Sequence, residues 1–202
     1  MRNVVIQPNM KDTIFHTIPE SLEAIERDTQ KSGFTMPSER KTGSLLSTLA
    51  ATKPDRHFLE LGSGTSLSTA WLLSGMSQSA LLDSVDNDNA VLKIAERYLG
   101  SDGRVAFHNC DGENFIRQAQ SESYDLIFAD AWPGKYSLLD ETLGLLKIGG
   151  FYVIDDMCPQ PNWPEGHKDK AESLLDKLNG RLDLKVCRLA WATGIVICCR
   201  AV

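Results

Sequence analysis

The residues best able to do chemistry stand where short apolar runs end. The run His57-Phe58-Leu59-Glu60-Leu61 passes directly into Gly62-Ser63-Gly64-Thr65-Ser66 and then into a helical pattern. A strand, a glycine turn and a helix in that order aim backbone N–H groups at a bound anion or carboxylate, and the glycines let a ligand approach the chain closely. The second run ends in Ser84-Val85-Asp86. The first two strand ends of a doubly wound sheet lie side by side at the crevice, which places the Asp86 carboxylate to accept hydrogen bonds from both hydroxyls of a ribose. Asp83 and Asp88 flank it as solvated or capping residues, Asp88 as the N-cap of a helix from Asn89. Later runs end in Asp130 and in Asp155-Asp156. On adjacent strands these carboxylates would gather three oxygen donors suited to a hard divalent cation, although strand-end aspartates also cap helices and turns.

These ends need a frame. From Arg56 onward, short apolar runs alternate with longer amphipathic stretches, the mark of successive βα units in a parallel sheet. The pattern predicts strands at His57–Leu61, Leu81–Val85, Val105–His108, Asp125–Ala129 and Phe151–Ile154. It predicts helices at about Ser66–Ser74, Asn89–Leu99, Glu113–Gln120 and Ser137–Leu146, with Gly75, Gly100 and Gly149-Gly150 as left-handed C-terminal caps. After an irregular start, Pro19–Lys31 and Pro37–Thr52 read as helices. Pro159, Pro161 and Pro164 forbid regular structure after the fifth strand, a further helix runs from about His167 to Leu178, and Leu182–Leu189 and Gly194–Arg200 read as closing strands.

Composition narrows the function. One domain over 1–202, with a helical extension at 1–54 and a core at 55–202, accounts for a chain of 202 residues. A net charge of -6 gives no basic excess with which to neutralise a phosphate backbone, so nucleic acid is not an expected partner. No run approaches the roughly 18 to 20 apolar residues of a membrane span, and the N-terminus has no charged region followed by an apolar one. Five cysteines, an odd number without C-x-x-C spacing, read as reduced thiols of a cytoplasmic protein.

The segment Glu60-Leu61-Gly62-Ser63-Gly64-Thr65-Ser66 resembles motif I of S-adenosylmethionine-dependent methyltransferases. Ser68, Tyr124-Asp125-Leu126-Ile127-Phe128-Ala129-Asp130-Ala131-Trp132, Lys135-Tyr136, Leu145-Leu146, Gly149-Gly150 and Ile154-Asp155-Asp156 extend the likeness. From about Lys41 to the C-terminus the chain resembles the catechol and caffeoyl-CoA O-methyltransferase family, and within it bacterial O-methyltransferases of unknown acceptor that share Asp-Ala-Trp-Pro-Gly-Lys-Tyr. The resemblance implies the class I methyltransferase fold: an α/β, doubly wound, Rossmann-like sheet of seven strands, mostly parallel, closed by an antiparallel C-terminal hairpin. It implies S-adenosylmethionine as cofactor. Glu60, with Gly62, Ser63, Gly64 and Ser68, would serve its amino-acid end. Asp86 would hold its ribose, and Asp111 and Gly112 would lie near its adenine, with Asp111 equally explained as a helix N-cap. Trp132 would pack on the adenine face, where aromatic stacking is favourable.

The resemblance also implies a metal, usually magnesium, on Asp130, Asp155 and Asp156, the last standing where the family often has asparagine. Such an ion would lower the pKa of an acceptor hydroxyl and orient it for in-line displacement. The catechol branch carries a lysine base three residues after the metal aspartate, but Pro133 stands there and Lys135 follows two positions on. Lys135 either reaches the same spot on a rearranged loop or lies on the surface; in the second case activation falls to the metal or to His167. Trp163 either stacks on an aromatic acceptor or anchors the loop. A small hydroxylated acceptor is the expected partner, and the N-terminal helices would cover the site or pair with a second subunit. Two other readings stay open. A nicotinamide-dependent oxidoreductase shares the glycine turn, but its fingerprint needs a third small residue where Leu67 stands. A non-catalytic S-adenosylmethionine-binding protein would explain Pro133.

Overall fold

The computed structural model describes residues 18–161 and 163–202. The irregular start expected before Pro19, and Asn162 in the proline loop, lie outside them. Two helices come first, α1 (Leu22–Ser32) and α2 (Arg40–Ala51). In α1, Leu22, Ile25 and Thr29 fall on one face and are buried. The βα alternation then follows as β1 (His57–Leu61), α3 (Leu67–Gly75), β2 (Leu81–Asp86), α4 (Asn89–Leu99), β3 (Val105–Asn109), α5 (Gly112–Gln118), β4 (Tyr124–Ala129), α6 (Leu139–Leu145) and β5 (Leu146–Ile154). The chain closes with α7 (His167–Asn179), β6 (Leu184–Leu189) and β7 (Ile195–Arg200). No described helix is long and apolar enough to cross a membrane.

The strands form one sheet of seven in the order β3-β2-β1-β4-β5-β7-β6. Pairs among β1 to β5 are parallel, whereas β7 runs antiparallel to both β5 and β6. The order reverses between β1 and β4, and in such sheets the crevice beyond the carboxyl ends at the reversal is where ligands bind. Leu61 pairs with Val85 on one side and Ala129 on the other, and Ala129 pairs with Ile154. Gly62, Asp86, Asp130 and Asp155 therefore leave the sheet along one rim.

Alternation along the central strands sends successive side chains to opposite layers. Phe58, Leu126 and Phe128 face the core beneath α1 to α4, together with Trp71, while Leu59, Leu61, Ile127 and Ala129 face the layer holding Leu143 and Leu174. Every residue of β4 is buried, as expected of a strand covered on both faces. Gly43 sets the spacing between α2 and α3: a Cβ there would come within 2.0 Å of the Trp71 ring.

Two expectations are corrected. Strand β5 begins at Leu146 instead of Phe151, so Gly149-Gly150 lie inside a strand and α6 ends at Leu145. Its register against β4 shifts between Tyr124 and Leu126, which accommodates the additional residues. The glycine caps also differ. Gly100 ends α4 in a right-handed conformation at φ -66, Gly75 belongs to α3 itself, and it is α1 that ends on a left-handed glycine, Gly33 at φ 77.

Candidate active site

The glycine turn is built by extending the β-ladder past its last paired residues. Gly62 donates its N–H to the Val85 carbonyl at 2.9 Å, and Asp130 donates to the Leu61 carbonyl at 2.9 Å, which fixes β1, β2 and β4 to one another at the rim. Gly62 has φ 94, and a Cβ there would lie 2.8 Å from the Asp130 carbonyl oxygen. Both the backbone angle and the space require glycine. Gly64 donates its N–H to Asp86 Oδ2 at 2.8 Å, and Asp88 donates to Asp86 Oδ1 at 2.9 Å. The Asp86 carboxylate is thus held in place by two backbone donors, while Asp88 caps α4 by accepting from Ala90 at 2.8 Å.

Behind the turn, Glu60 shares the layer of Phe58 and is fully buried. Its Oε2 accepts from Thr69 at 2.5 Å and from Ser84 at 2.6 Å. With the Ser84 proton committed to Glu60, the 2.5 Å contact between Ser63 and Ser84 is a bond donated by Ser63. Burial pushes the Glu60 carboxyl up to about 7 against the lowering effect of the Ser68, Ser84 and Thr69 hydroxyls. Glu60 and Ser68 lie under the glycine turn and do not line the cavity in front of it. Glu60 therefore bears on that cavity through Ser84 and Ser63. Asp111 is likewise off the cavity wall and caps α5 by accepting from Asn114 at 3.1 Å.

The cavity encloses about 670 Å³ at the reversal point of the sheet, within the size range of small-molecule sites. Gly62, Ser63, Gly64, Asp86 and Gly112 line one part of it. Asp130, Trp132, Lys135, Asp155, Asp156, Trp163 and His167 line the rest. The segment 34–39, extended between α1 and α2, closes the cavity with Phe34, Pro37 and Ser38. Phe34, Ser38 and Thr193 carry no signal of this site in the sequence, and Tyr136 enters there only through the likeness, without a role. Ser38 reaches Asp130 across 92 positions of sequence, a contact with no local signal.

Lys135 is buried, not on the surface. The loop from Trp132 is closed by bonds from the N–H groups of Lys135, Tyr136 and Ser137 to the Trp132 carbonyl and from Gly134 to the Ser137 carbonyl. This turn carries Lys135 inward to 4% exposure, where its ammonium donates to the Asp155 carbonyl at 2.6 Å. Burial lowers its pKa, opposed by the charges of Asp130, Asp156 and Asp155. Burial, and then the charge of Asp155, raise that of Asp130. The three carboxylates come together at the cavity, but each is engaged by a different protein donor. Asp130 Oδ2 accepts from Ser38 at 3.0 Å, Asp155 Oδ1 accepts from Thr193 and from the Asp156 N–H, and Asp156 Oδ2 accepts from Trp163 Nε1 at 2.8 Å. Among the described residues no group of three acidic, histidine or cysteine side chains is arranged to hold a metal ion. The donor set expected for magnesium therefore does not fit one as it stands.

An aromatic wall completes the cavity. Trp163 stacks on His167 at 4.4 Å between ring centroids, and the Tyr136 hydroxyl is hydrogen-bonded to His167 Nε2 at 3.0 Å. Trp132 meets Tyr136 edge-on at 4.9 Å, carries the Lys170 ammonium 5.2 Å from its ring centre and remains 45% exposed. His167 is buried, and desolvation, then the charge of Lys135, lower its pKa. The imidazole is accordingly neutral at pH 7.

A sheet of this order, with a glycine turn after β1 and an acid at the end of β2, is the class I methyltransferase fold. Residues 59–157 match a family described as a methyltransferase domain. A Mycobacterium avium protein named "Putative O-methyltransferase" is 32% identical over 117 residues, which are 55% of this chain and 53% of that protein. The chain thus matches about half the length of such curated relatives. The O-methyltransferase TomG of Streptomyces achromogenes, involved in tomaymycin synthesis and solved in complex with SAM, superimposes with a TM-score of 0.80 at 18% identity, covering 94% of this chain and 93% of that one. An O-methyltransferase of Bacillus cereus solved in complex with SAH gives 0.79 at 16% identity and 94% of each chain. The resemblance read from motif I and the strand-end acids is borne out in domain and fold.

Proposed function

We propose that this protein is an S-adenosylmethionine-dependent methyltransferase acting on an oxygen of a small hydroxylated molecule. The observation that carries the reading is the single cavity in which the glycine turn and Asp86 face the cluster of Asp130, Lys135, Asp155 and His167. The cofactor fits this chain's residues. The space in front of Gly62 and Gly64 admits close approach, the Asp86 carboxylate, held at the end of β2 by two backbone N–H groups, would accept from the ribose, and the half-exposed Trp132 would meet the adenine ring.

When bound, S-adenosylmethionine supplies an electrophilic methyl group whose carbon–sulfur bond breaks with the electron pair left on sulfur. The protein's own part lies on the acceptor side. His167, neutral through burial and held by Tyr136 and Trp163, takes the hydroxyl proton at Nε2 by way of the Tyr136 hydroxyl, which gives up its own proton as it receives the acceptor's, while the acceptor oxygen bonds to carbon. The aromatic wall of Tyr136, Trp163 and His167 suits a flat acceptor and excludes water from the reacting oxygen. One oxygen of each carboxylate expected to hold a divalent cation is already tied to a protein donor, Ser38, Thr193 or Trp163.

Calorimetric titration with S-adenosylmethionine and with NAD tests the class, and transfer of label from methyl-labelled S-adenosylmethionine to a panel of catechols and simple phenols tests the chemistry. Binding of NAD alone would exclude a methyltransferase. Tight S-adenosylmethionine binding with no labelled product on any hydroxylated acceptor would favour a non-catalytic binding protein.

A further inference from the structure

We infer that the Lys135 ammonium takes the place of the divalent cation at the cluster of Asp130, Asp155 and Asp156, so that the acceptor is activated without a metal. The inference rests on the methyltransferase reading only for its catalytic consequence; the replacement itself stands on the geometry of the cluster.

Lys135 is 4% exposed, and its ammonium is fixed to the Asp155 carbonyl at 2.6 Å, at the point where the fourth and fifth strands deliver their acids. The electrostatic partners of the amine are the three aspartates themselves. A positive charge held at the Asp155 carbonyl, with the three acids as its charge partners, offsets part of their mutual repulsion, which is the electrostatic work a bound cation would do. A second, divalent charge at the same place would have to coexist with that ammonium in a poorly solvated pocket, where like charges repel strongly. One oxygen of each carboxylate is already held, by Ser38, Thr193 or Trp163, which fixes the direction in which the other can face an ion. Magnesium demands near-octahedral oxygen geometry and gives up its water reluctantly, so oxygens tethered in different directions serve it poorly.

The position of Lys135 is not adjustable. The backbone loop from Trp132 to Ser137 is closed on itself by several hydrogen bonds, and the Lys135 ammonium lies over the Tyr136 ring, 5.1 Å from its centre. Pro133, which stands where the catechol branch has its lysine, lies at the start of this turn, bridged to Ser137. In the transfer step the ammonium faces the cavity and stabilises the negative charge that develops on the acceptor oxygen as His167 removes its proton.

The test uses manganese alone as the probe, followed by electron paramagnetic resonance, on the full chain as wild type, Lys135→Gln and Lys135→Arg. Wild type and Lys135→Arg should show no sub-millimolar site. Lys135→Gln, with the acids left uncompensated, should bind one ion at least about tenfold more tightly, and Asp130→Asn in the same background should abolish it. A sub-millimolar site in the wild type that Asp130→Asn removes would overturn the inference. So would the absence of manganese binding in a folded Lys135→Gln variant, since the cluster would then not be a cation site. If Lys135→Gln does not fold, Lys135→Met takes its place in the same titration, with the same two outcomes. S-adenosylmethionine binding, measured in parallel by calorimetry, reports on the methyltransferase reading separately: its failure would leave the manganese result standing.

Discussion

Gly64 and Asp86 are joined by a 2.8 Å hydrogen bond from the glycine N–H to the carboxylate, so the turn after β1 and the acid after β2 form one binding unit. Asp86→Ala should therefore lose more than a ribose contact. It removes the acceptor that orients the Gly64 N–H as well, and a hydrogen bond to a charged group contributes about 1.5–3 kcal/mol. The expected result is a fall in S-adenosylmethionine affinity of about ten- to a hundredfold, together with a loss of several degrees of melting temperature from the two backbone bonds to the carboxylate. Calorimetry on Asp86→Ala checks this, and an unchanged affinity would remove Asp86 from the site.

Gly62→Ala should destabilise the whole protein as well as the pocket. The residue sits at φ 94, and an added methyl would meet the Asp130 carbonyl at 2.8 Å. That carbonyl belongs to the hydrogen-bonded junction of β1 and β4, which cannot move aside cheaply. Backbone strain of this kind costs about 1–3 kcal/mol, and several degrees of melting temperature should be lost in thermal denaturation.

Much of this architecture could be read in the sequence because it is local. The alternation of apolar runs and amphipathic stretches placed the first five strands, and strand ends fall where the acids stand. The boundaries of β5 were not legible, since Leu146-Lys147-Ile148 continues the apolar pattern of α6 and only pairing with β4 makes it strand. The contacts of the site were less legible still. Ser38 meets Asp130, and Thr193 meets Asp155, through folding of segments far apart in sequence. The place of Glu60 did have a signal: in a strand of period two it shares the face of Phe58, and the hydroxyls of Ser68, Thr69 and Ser84 mark a polar pocket waiting behind the turn.

Glu60 also predicts a pH dependence of stability. Its carboxyl is raised from 4.5 to about 7 in the folded protein, so the fold favours the protonated form. The stabilisation is fully present below pH 4.5 and is lost as the pH rises through about 7. Glu60→Gln keeps the protonated shape without the titration. Urea denaturation of both proteins from pH 4 to pH 8 should show the wild type losing, relative to the variant, on the order of 3 kcal/mol over that window. Parallel curves at every pH would show that Glu60 is not desolvated as described.

Asp156 is held in the left-handed region at φ 58, directly after the strand that delivers Asp155. Among residues with side chains, asparagine and aspartate tolerate that conformation best. Its Oδ2 also accepts from Trp163 Nε1 at 2.8 Å and so ties the proline loop to the end of β5. Asp156→Asn preserves both the backbone preference and an oxygen acceptor, and should melt within a degree or two of the wild type. Asp156→Ala loses both: the left-handed angle costs about 1–2 kcal/mol and the half-buried indole N–H loses its carboxylate partner. The alanine variant should melt several degrees lower, and the fluorescence of Trp163 should shift as the indole loosens from His167. If alanine and asparagine behaved alike, the bond between Asp156 and Trp163 would not be what holds the acceptor side of the cavity in shape.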